Sequence, residues 1–382
     1  QRLGRLTTQP VHLTNVYKIG ALAYDALNGH VLISDAAEKK VISLNPMTGE
    51  TYILLAGQDI GRIEGMEVDP YGHNLYWADG ERQTVEVLSL NTHKRKVLLH
   101  DLGGETPLDV ALVPDDGLMF VALMGPKVVH IDRFSMDGDL KTRVHIADKN
   151  VLGPNVALAY DKHVHHIFWS DSGTGNIEAV DIDGMERTKV RELYHSPIDI
   201  AVIEDDIFWT SFGSAKLHWV NKYEDMSDSS KSLLLGLTQG LESVRLAVMT
   251  ELVSGADHIC QKNNGGCSHI CLLSHNKHIC ACPFGMVLKQ DGVTCEVPVH
   301  CQVGQYRCNT GECIQVSLRC NHRPDCPHGD DEVDCKQIML SCARGMFSCH
   351  DGEKCVDHTK RCDGVWDCQD GSDEQGCSHM GC

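Results

Sequence analysis

Apolar and polar positions alternate along most of the first 250 residues in short runs broken by turn residues, and helical periodicity is nearly absent. One pattern recurs. LISD (32–35), YWAD (76–79), FVAL (120–123), FWSD (168–171) and FWTS (208–211) are related, each about 40–50 residues after the one before, the period of propeller blades. Ahead of most lies an alternating apolar strand ending near an Asp, as in GMEVDP (65–70) and ALAYDK (157–162). After most comes another strand and a turn carrying Gly, as in IDRFSMDG (131–138) and IEAVDIDG (177–184). Each repeat therefore predicts strand–turn–strand–turn–strand. Short, evenly spaced strands without helices point to a radial β architecture. Five visible repeats and the unmatched ends (roughly 1–20 and 232–250) predict a sixth blade built from both termini. Two stacked β-sandwiches would leave the recurring aromatic–Asp motif without a reason.

The chain has 382 residues, enough for two to three domains and a sizeable core. Its formal charge of −19 argues against nucleic acid and against an anionic membrane surface as partner. No apolar run approaches the ~20 residues of a membrane span, and no signal-peptide pattern opens the chain. Because it begins with Gln, a fragment or processed product is expected. All 19 cysteines fall between Cys260 and Cys382, a density that implies a disulfide framework made in an oxidising compartment. The first 259 residues must be stable without crosslinks. Acidity is not confined to the cysteine modules: residues 301–382 carry −6, residues 260–300 carry +1 and the cysteine-free part −14.

YWAD and FWSD resemble the YWTD motif of the LDL-receptor family's six-bladed propeller. The resemblance implies an all-β chain: a six-bladed YWTD β-propeller (1–256), a disulfide-rich EGF-like module (257–298), two LDL-receptor class A modules (299–336 and 339–378) and the start of another (379–382). Tyr76, Trp77, Phe168, Trp169, Phe208 and Trp209 are read as core, and the motif Asp as the tie of a turn. Cys260, Cys267, Cys271, Cys280, Cys282 and Cys295 have EGF-like spacing, although spacing alone allows fifteen pairings. The family pairing implies Cys260–Cys271, Cys267–Cys280 and Cys282–Cys295. VSGADHI before Cys260 lacks an acidic pattern, so no metal is expected there, and the module is read as a wedge packed under the propeller. For the class A modules the family pairing implies Cys301–Cys313, Cys308–Cys326 and Cys320–Cys335, then Cys342–Cys355, Cys349–Cys368 and Cys362–Cys377. Cys382 is left without an assigned partner.

Modules of this size have almost no core, here Tyr306 with Ile314 and Phe347 with Val356, and need disulfides or metal to fold. The acidic stretch CDGVWDCQDGSDEQGC (362–377) repels itself unless a hard cation binds it. The resemblance implies one Ca2+ per class A module. In the second it would use the side chains of Asp363, Asp367, Asp373 and Glu374 with the carbonyls of Lys360 and Val365. In the first it would use Asn321, Asp325, Asp331 and Glu332 with the carbonyls of Leu318 and Arg323. Asn321 stands where the family has Asp, so weaker binding is expected there. Family members that capture a ligand lysine use an aromatic residue and an extra acid at positions held here by Leu318 and Lys360, and by Arg323 and Val365. Both lysine clamps therefore read as disabled.

Recognition then falls to the propeller mouth, where loops from all blades converge. Positions carried over from the Wnt co-receptor branch are Glu64, Leu108, Asn155 and Ile198 before the inner strands, Met124 and Phe212 after the motifs, and Glu86 and Glu178 in the following strand. Leu108 departs from an Arg and Ile198 from an aromatic residue. Histidine is abundant (22), with a cluster at His163, His165 and His166, so a pH switch or, less favoured, a zinc site can be imagined. No nucleophile elbow, phosphate loop or HExxH motif is present, so an enzyme is not expected. The resemblance implies a ligand-binding receptor ectodomain at the extracellular face of the plasma membrane, tethered by a segment absent from this chain. Its ligands would be Wnt proteins or their antagonists; alternatively, it would be an endocytic receptor for lipoprotein or yolk cargo.

Overall fold

The computed structural model describes residues 13, 16–57, 60–126, 128–148, 156–193, 196–224, 230–235, 244–249, 258–275, 277–297, 301, 304–310, 312–321, 323–333, 346–349, 354–368, 371–374 and 377. The chain divides into two compact units, Gln1–Val297 and Pro298–Cys382.

The first unit contains five four-stranded antiparallel sheets, spanning 19–56, 63–99, 106–148, 156–192 and 197–234, which we number as blades 1 to 5. Each blade follows chain order from its innermost strand outwards. The five motifs lie on the second strands, from His30–Asp35 in blade 1 to Asp206–Ser211 in blade 5. Each blade also has a fourth, outermost strand that the three-strand reading lacks: Thr51–Ala56, Arg95–Leu99, Val144–Asp148, Thr188–Glu192 and Lys231–Leu234. These strands escaped notice because an outer edge buries little; Lys231–Leu234 has no buried position and so little apolar alternation.

Period-two geometry explains the motif aromatics, since neighbouring side chains on a strand point to opposite sheet faces. Trp77, Trp169 and Trp209 pack against the preceding blade, whereas Tyr76, Phe120 and Phe168 pack against the following one. All six are buried. The motif acids tie turns. Asp79 accepts from the backbone N–H of Gly61, Glu81 and Arg82, joining the inter-blade connection to the next turn. Asp35 does the same with Tyr17, Lys18, Ala37 and Glu38.

Five blades, not six, are present among the described residues. Residues 244–249 nevertheless lie between blades 5 and 1. Leu246 N–H donates to Asp199 Oδ2 (2.7 Å), Arg245 Nε to the Gly20 carbonyl (2.7 Å), and Thr210 Oγ1 to the Val244 carbonyl (3.2 Å).

Residues 258–297, called here the EGF-like region after their cysteine spacing, belong to the same unit as the propeller. Ile270, Leu272 and Leu273 are buried in one apolar core with blades 2 and 3. At about 1.5–3 kcal/mol for each fully buried aliphatic side chain, these three alone hold the module firmly. Polar contacts fix its register: Asn74 Nδ2 donates to the Cys271 carbonyl (2.7 Å), Thr92 Oγ1 to the His269 carbonyl (2.9 Å), and the His258 ring stacks on Tyr71 (4.9 Å).

In the second unit the described residues form two small hairpins, Gln305–Arg307 with Cys313–Gln315 and Met346–Ser348 with Cys355–Asp357. Tyr306 faces Ile314 and Phe347 faces Val356 across them. Arg319 covers the Tyr306 ring at 4.5 Å and Arg361 covers Phe347 at 4.8 Å. Described disulfides join Cys260–Cys271, Cys267–Cys280, Cys282–Cys295, Cys301–Cys313, Cys308–Cys326, Cys349–Cys368 and Cys362–Cys377. The expected pairs Cys320–Cys335 and Cys342–Cys355 each have a member outside the described residues, as does any partner of Cys382.

Candidate functional site: the open propeller face and the class A loops

The EGF-like region meets the propeller at the turns after the innermost strands of blades 2 and 3, through Tyr71, Asn74 and the close approach of Gly117 to Ser274. Among the described residues of this unit, none of the EGF-like region lies against the face formed by the opposite ends of those strands. On it lie the starts of the innermost strands and the turns after the motifs, where the expected ligand positions fall. An axial cavity of about 250 Å³ runs between the inner strands of all five blades and residues 245–248.

Phe212 is 65% and Met124 37% exposed on this face. Leu108 lines the cavity and is half-buried, as is Ile198, and Arg245 reaches towards the Ile198 carbonyl (3.5 Å). Glu64 pairs with Arg62 at the rim. Asn155 lies outside the described residues.

Glu86 and Glu178 are placed differently from the reading of them as ligand contacts. Glu86 is fully buried, and its carboxylate accepts from Arg95 Nε (2.6 Å) and Thr84 Oγ1 (2.9 Å). Arg95 in turn covers the Trp77 ring at 5.3 Å. Blade 4 repeats the arrangement at the same spacing: Glu178 accepts from Arg187 Nε (2.6 Å), and Arg187 lies over Trp169 at 5.2 Å. Both acids hold a guanidinium against the blade's tryptophan; the Glu86 charge is buried in the fold, while Glu178 is half-buried and its Arg187 partner partly exposed. The nine-residue spacings Trp77–Glu86–Arg95 and Trp169–Glu178–Arg187 carried this signal in the sequence.

The sequence reading also missed the cavity wall. Glu67, Asp109 and Asp199 line it with Arg245. Burial, countered by a hydrogen bond from Leu112 N–H and reinforced by the Asp109 charge, lifts the Glu67 carboxyl to about 8. Burial and the Asp199 charge lift Asp109 to about 7, and burial lifts Asp199 against the pull of Arg245. Acids inside otherwise apolar inner strands, as in GMEVDP and PLDVAL, were the available clue.

Among the described residues no three His, Cys, Asp or Glu side chains are gathered into a metal-holding cluster, at His163, His165 and His166 or elsewhere. His165 Nδ1 is 3.1 Å from Tyr160 Oη, and His166 Nδ1 is 2.5 Å from the Val164 carbonyl. The second class A loop still offers donors that suit a hard cation. Asp367 Oδ2, Asp373 Oδ1 and Glu374 Oε1 are buried without a hydrogen-bond partner. Lys360 Nζ lies 3.6 Å from Asp367 Oδ2 and 3.5 Å from Asp363 Oδ2. In the first loop the oxygens are more engaged. Asn321 Nδ2 donates to Asp325 Oδ2 (2.7 Å), Asp331 accepts from the N–H of Asp325 and Cys326, and Glu332 from that of Asn321. Leu318 closes a short 3-10 turn, while Arg323 N–H donates to Asn321 Oδ1 and Val365 N–H to Asp363 Oδ1.

The family model described as Low-density lipoprotein receptor domain class A matches residues 299–335 and 340–377, and that described as Coagulation Factor Xa inhibitory site matches 260–295. The chain is 31% identical over 353 residues to Vitellogenin receptor Yl of Drosophila melanogaster, covering 88% of this chain and 18% of that protein. It is 27% identical over 355 residues to Low-density lipoprotein receptor-related protein 5 of Mus musculus, covering 91% of this chain and 21% of that one. It thus spans about a fifth of the length of these curated relatives. Among solved structures, a chain of a nidogen/laminin complex superposes with a TM-score of 0.49 at 23% identity, over 53% of this chain and 75% of that one. With two class A domains behind an all-β propeller, and relatives that are receptors by name, the chain belongs to the LDL-receptor-related family.

Proposed function

We propose that this chain is the extracellular ligand-binding part of a single-pass cell-surface receptor, taking a secreted protein on the open face of its propeller. One observation carries the reading. The EGF-like region covers one propeller face, and the opposite face leaves Phe212 and Met124 in solvent around the axial cavity. Exposed apolar side chains beside a concavity serve protein interfaces as anchors. Leu108, Ile198 and Glu64 complete that face, with Glu86 and Glu178 acting beneath it, and Asn155 is a further ligand-binding residue in this reading. The chain binds rather than turns over its partner, and nucleic acid is not among its ligands.

The propeller has six blades, the sixth built from both ends of the cysteine-free part (roughly 1–20 and 232–250); the bonds of Arg245 to Gly20 and of Leu246 to Asp199 support ring closure at this point. It occupies 1–256, followed by the EGF-like module (257–298), class A modules (299–336 and 339–378) and the start of another (379–382). Each class A module holds one Ca2+: Asp363, Asp367, Asp373 and Glu374 in the second, Asn321, Asp325, Asp331 and Glu332 in the first, with the carbonyls of Lys360, Val365, Leu318 and Arg323. The unpartnered oxygens of the second loop support this assignment. The receptor stands at the plasma membrane, tethered by a segment outside this chain.

The secreted partner is a Wnt protein or one of its antagonists, as in the co-receptor branch. A second reading, endocytic uptake of yolk or lipoprotein cargo with acid-triggered release, is supported by the likeness to the vitellogenin receptors of Drosophila melanogaster and Solenopsis invicta. Surface plasmon resonance of the chain against Wnt proteins, Wnt antagonists, vitellogenin and lipoproteins separates the two. In either case Phe212→Ala should weaken binding of the true ligand about tenfold or more. Unchanged affinity in a Phe212→Ala, Met124→Ala double variant would remove the open face from consideration.

A further inference from the structure

The axial cavity carries an imbalance that ligand binding does not use. Glu67, Asp109 and Asp199 face it from the innermost strands Ile63–Asp69, Thr106–Val113 and Pro197–Ile203, and Arg245 is the one cation among its described lining residues. Each carboxylate also fastens its blade to the next element of the ring. Glu67 Oε2 accepts from Leu112 N–H, Asp109 Oδ2 from Leu158 N–H and Asp199 Oδ2 from Leu246 N–H, each at 2.7 Å. Asp109 lies so close to blade 2 that a Cβ on Gly65 would come within 1.8 Å of its Oδ1.

We propose that the axial cavity is a proton-uptake device: as a mildly alkaline solution is acidified, Glu67 and then Asp109 become neutral acids, the repulsion across the axis is relieved, and the blades are held together more firmly than at alkaline pH. This goes beyond the ligand-binding reading and does not depend on it. A protonated carboxyl keeps an oxygen for the neighbouring N–H, so the inter-blade bond survives while the buried charge disappears.

The surroundings of these acids bear this out element by element. Asp109 and Asp69 face Glu67, with His73 beside Asp69; Asp199 and Arg245 face Asp109; Arg245 faces Asp199. At the mouths, Glu64 is paired with Arg62, while Tyr24 and Tyr160 supply no positive charge. One guanidinium thus serves three carboxylates. Glu67 at about 8 and Asp109 at about 7 stand above the unfolded carboxyl values of about 4. The folded state therefore binds more protons than the unfolded chain across that interval. The stability this contributes is complete below about pH 4 and is lost as pH rises through about 7 to 8.

Two measurements on the whole chain test the device. Infrared spectra at about pH 7 should show the carboxylic-acid C=O band of a buried neutral acid, weakened in Glu67→Gln and weakest in the Glu67→Gln, Asp109→Asn double variant. Thermal unfolding should show the propeller midpoint rising by about 4 °C or more from about pH 8 to about pH 5.5. That rise should be smaller in Asp109→Asn and smallest in the Glu67→Gln, Asp109→Asn double variant. His73 and His130, both raised, push the midpoint the same way, which is why the variants are needed. Absence of the acid band from the wild-type chain at about pH 7 overturns the proposal, whether or not a variant folds. So does a double variant whose midpoint climbs as steeply as the wild type.

Discussion

Glu86 illustrates how one residue's role is settled by its neighbours. Its carboxylate is buried between Arg95 and Thr84, and Arg95 covers Trp77, so the acid works as an internal anchor. Breaking a buried ion pair from one side leaves the other charge uncompensated, and Glu86→Ala should cost the propeller about 3 kcal/mol in urea unfolding. A variant of wild-type stability that nonetheless lost ligand would restore Glu86 as a contact. His73 offers a pH-dependent counterpart. It bridges blades 1 and 2, with Nε2 3.0 Å from Asp25 Oδ1 and Nδ1 2.7 Å from Asn91 Oδ1. Burial pulls the imidazole pKa down, but the bonds to Asp25 and Asn91 win and leave it raised; burial likewise opposes Asp25, which His73 holds low. The His73 contribution is complete below the unfolded imidazole value of about 6.5 and fades as pH rises through the raised folded value. The Asp25 contribution is present above about 4 and fades as pH falls through its lowered value. The stability gap between the wild type and His73→Gln should therefore be widest between about pH 4 and 6.5 and shrink by about pH 8. A gap that widened with rising pH would contradict the pairing.

At the level of elements, the junction of the EGF-like region with blades 2 and 3 depends on backbone approach as much as on apolar burial. Gly117 has φ +64°, and a Cβ there would fall 2.4 Å from the Ser274 carbonyl oxygen. Gly117→Ala must therefore both strain the turn and push the two elements apart. We expect a loss of about 1–3 kcal/mol in the unit's unfolding free energy and faster proteolytic cleavage within 258–297. An alanine variant as resistant to protease as the wild type would show that the junction tolerates a shift. Each blade behaves in the same way: its inner strands are specified by burial on both faces, whereas its outermost strand is held mainly by pairing with its neighbour.

At the scale of the whole molecule, the first unit has an extensive core and the second depends on crosslinks and, in our proposal, on Ca2+. Chelation should then lower the melting point of Pro298–Cys382 and leave that of Gln1–Val297 nearly unchanged, as differential calorimetry would resolve. In the first class A loop the amide of Asn321 donates to Asp325, where a carboxylate would instead add charge to a cation site. Asn321→Asp should strengthen calcium binding there on the order of tenfold, read by isothermal titration. Equal affinities before and after would show that position 321 does not reach the ion.

Much was legible in the chain itself because it depends on local periodicity. The five motif strands follow from alternation and turn chemistry, which act over a few residues, and the resemblance of the motifs implied the burial of Trp77, Trp169 and Trp209 and the turn-tying acids. The split between a cysteine-free propeller and cysteine-rich modules is written in composition. What tertiary structure decided was which polar groups meet: that Glu86 and Glu178 pair with arginines nine residues on, that Glu67, Asp109 and Asp199 converge on one axis, and that the EGF-like region packs on the turns at one face of the ring. Those outcomes depend on closing strands far apart in sequence into a ring, where burial and the charge of distant neighbours set what a carboxylate can do, and no short window of sequence contains that information.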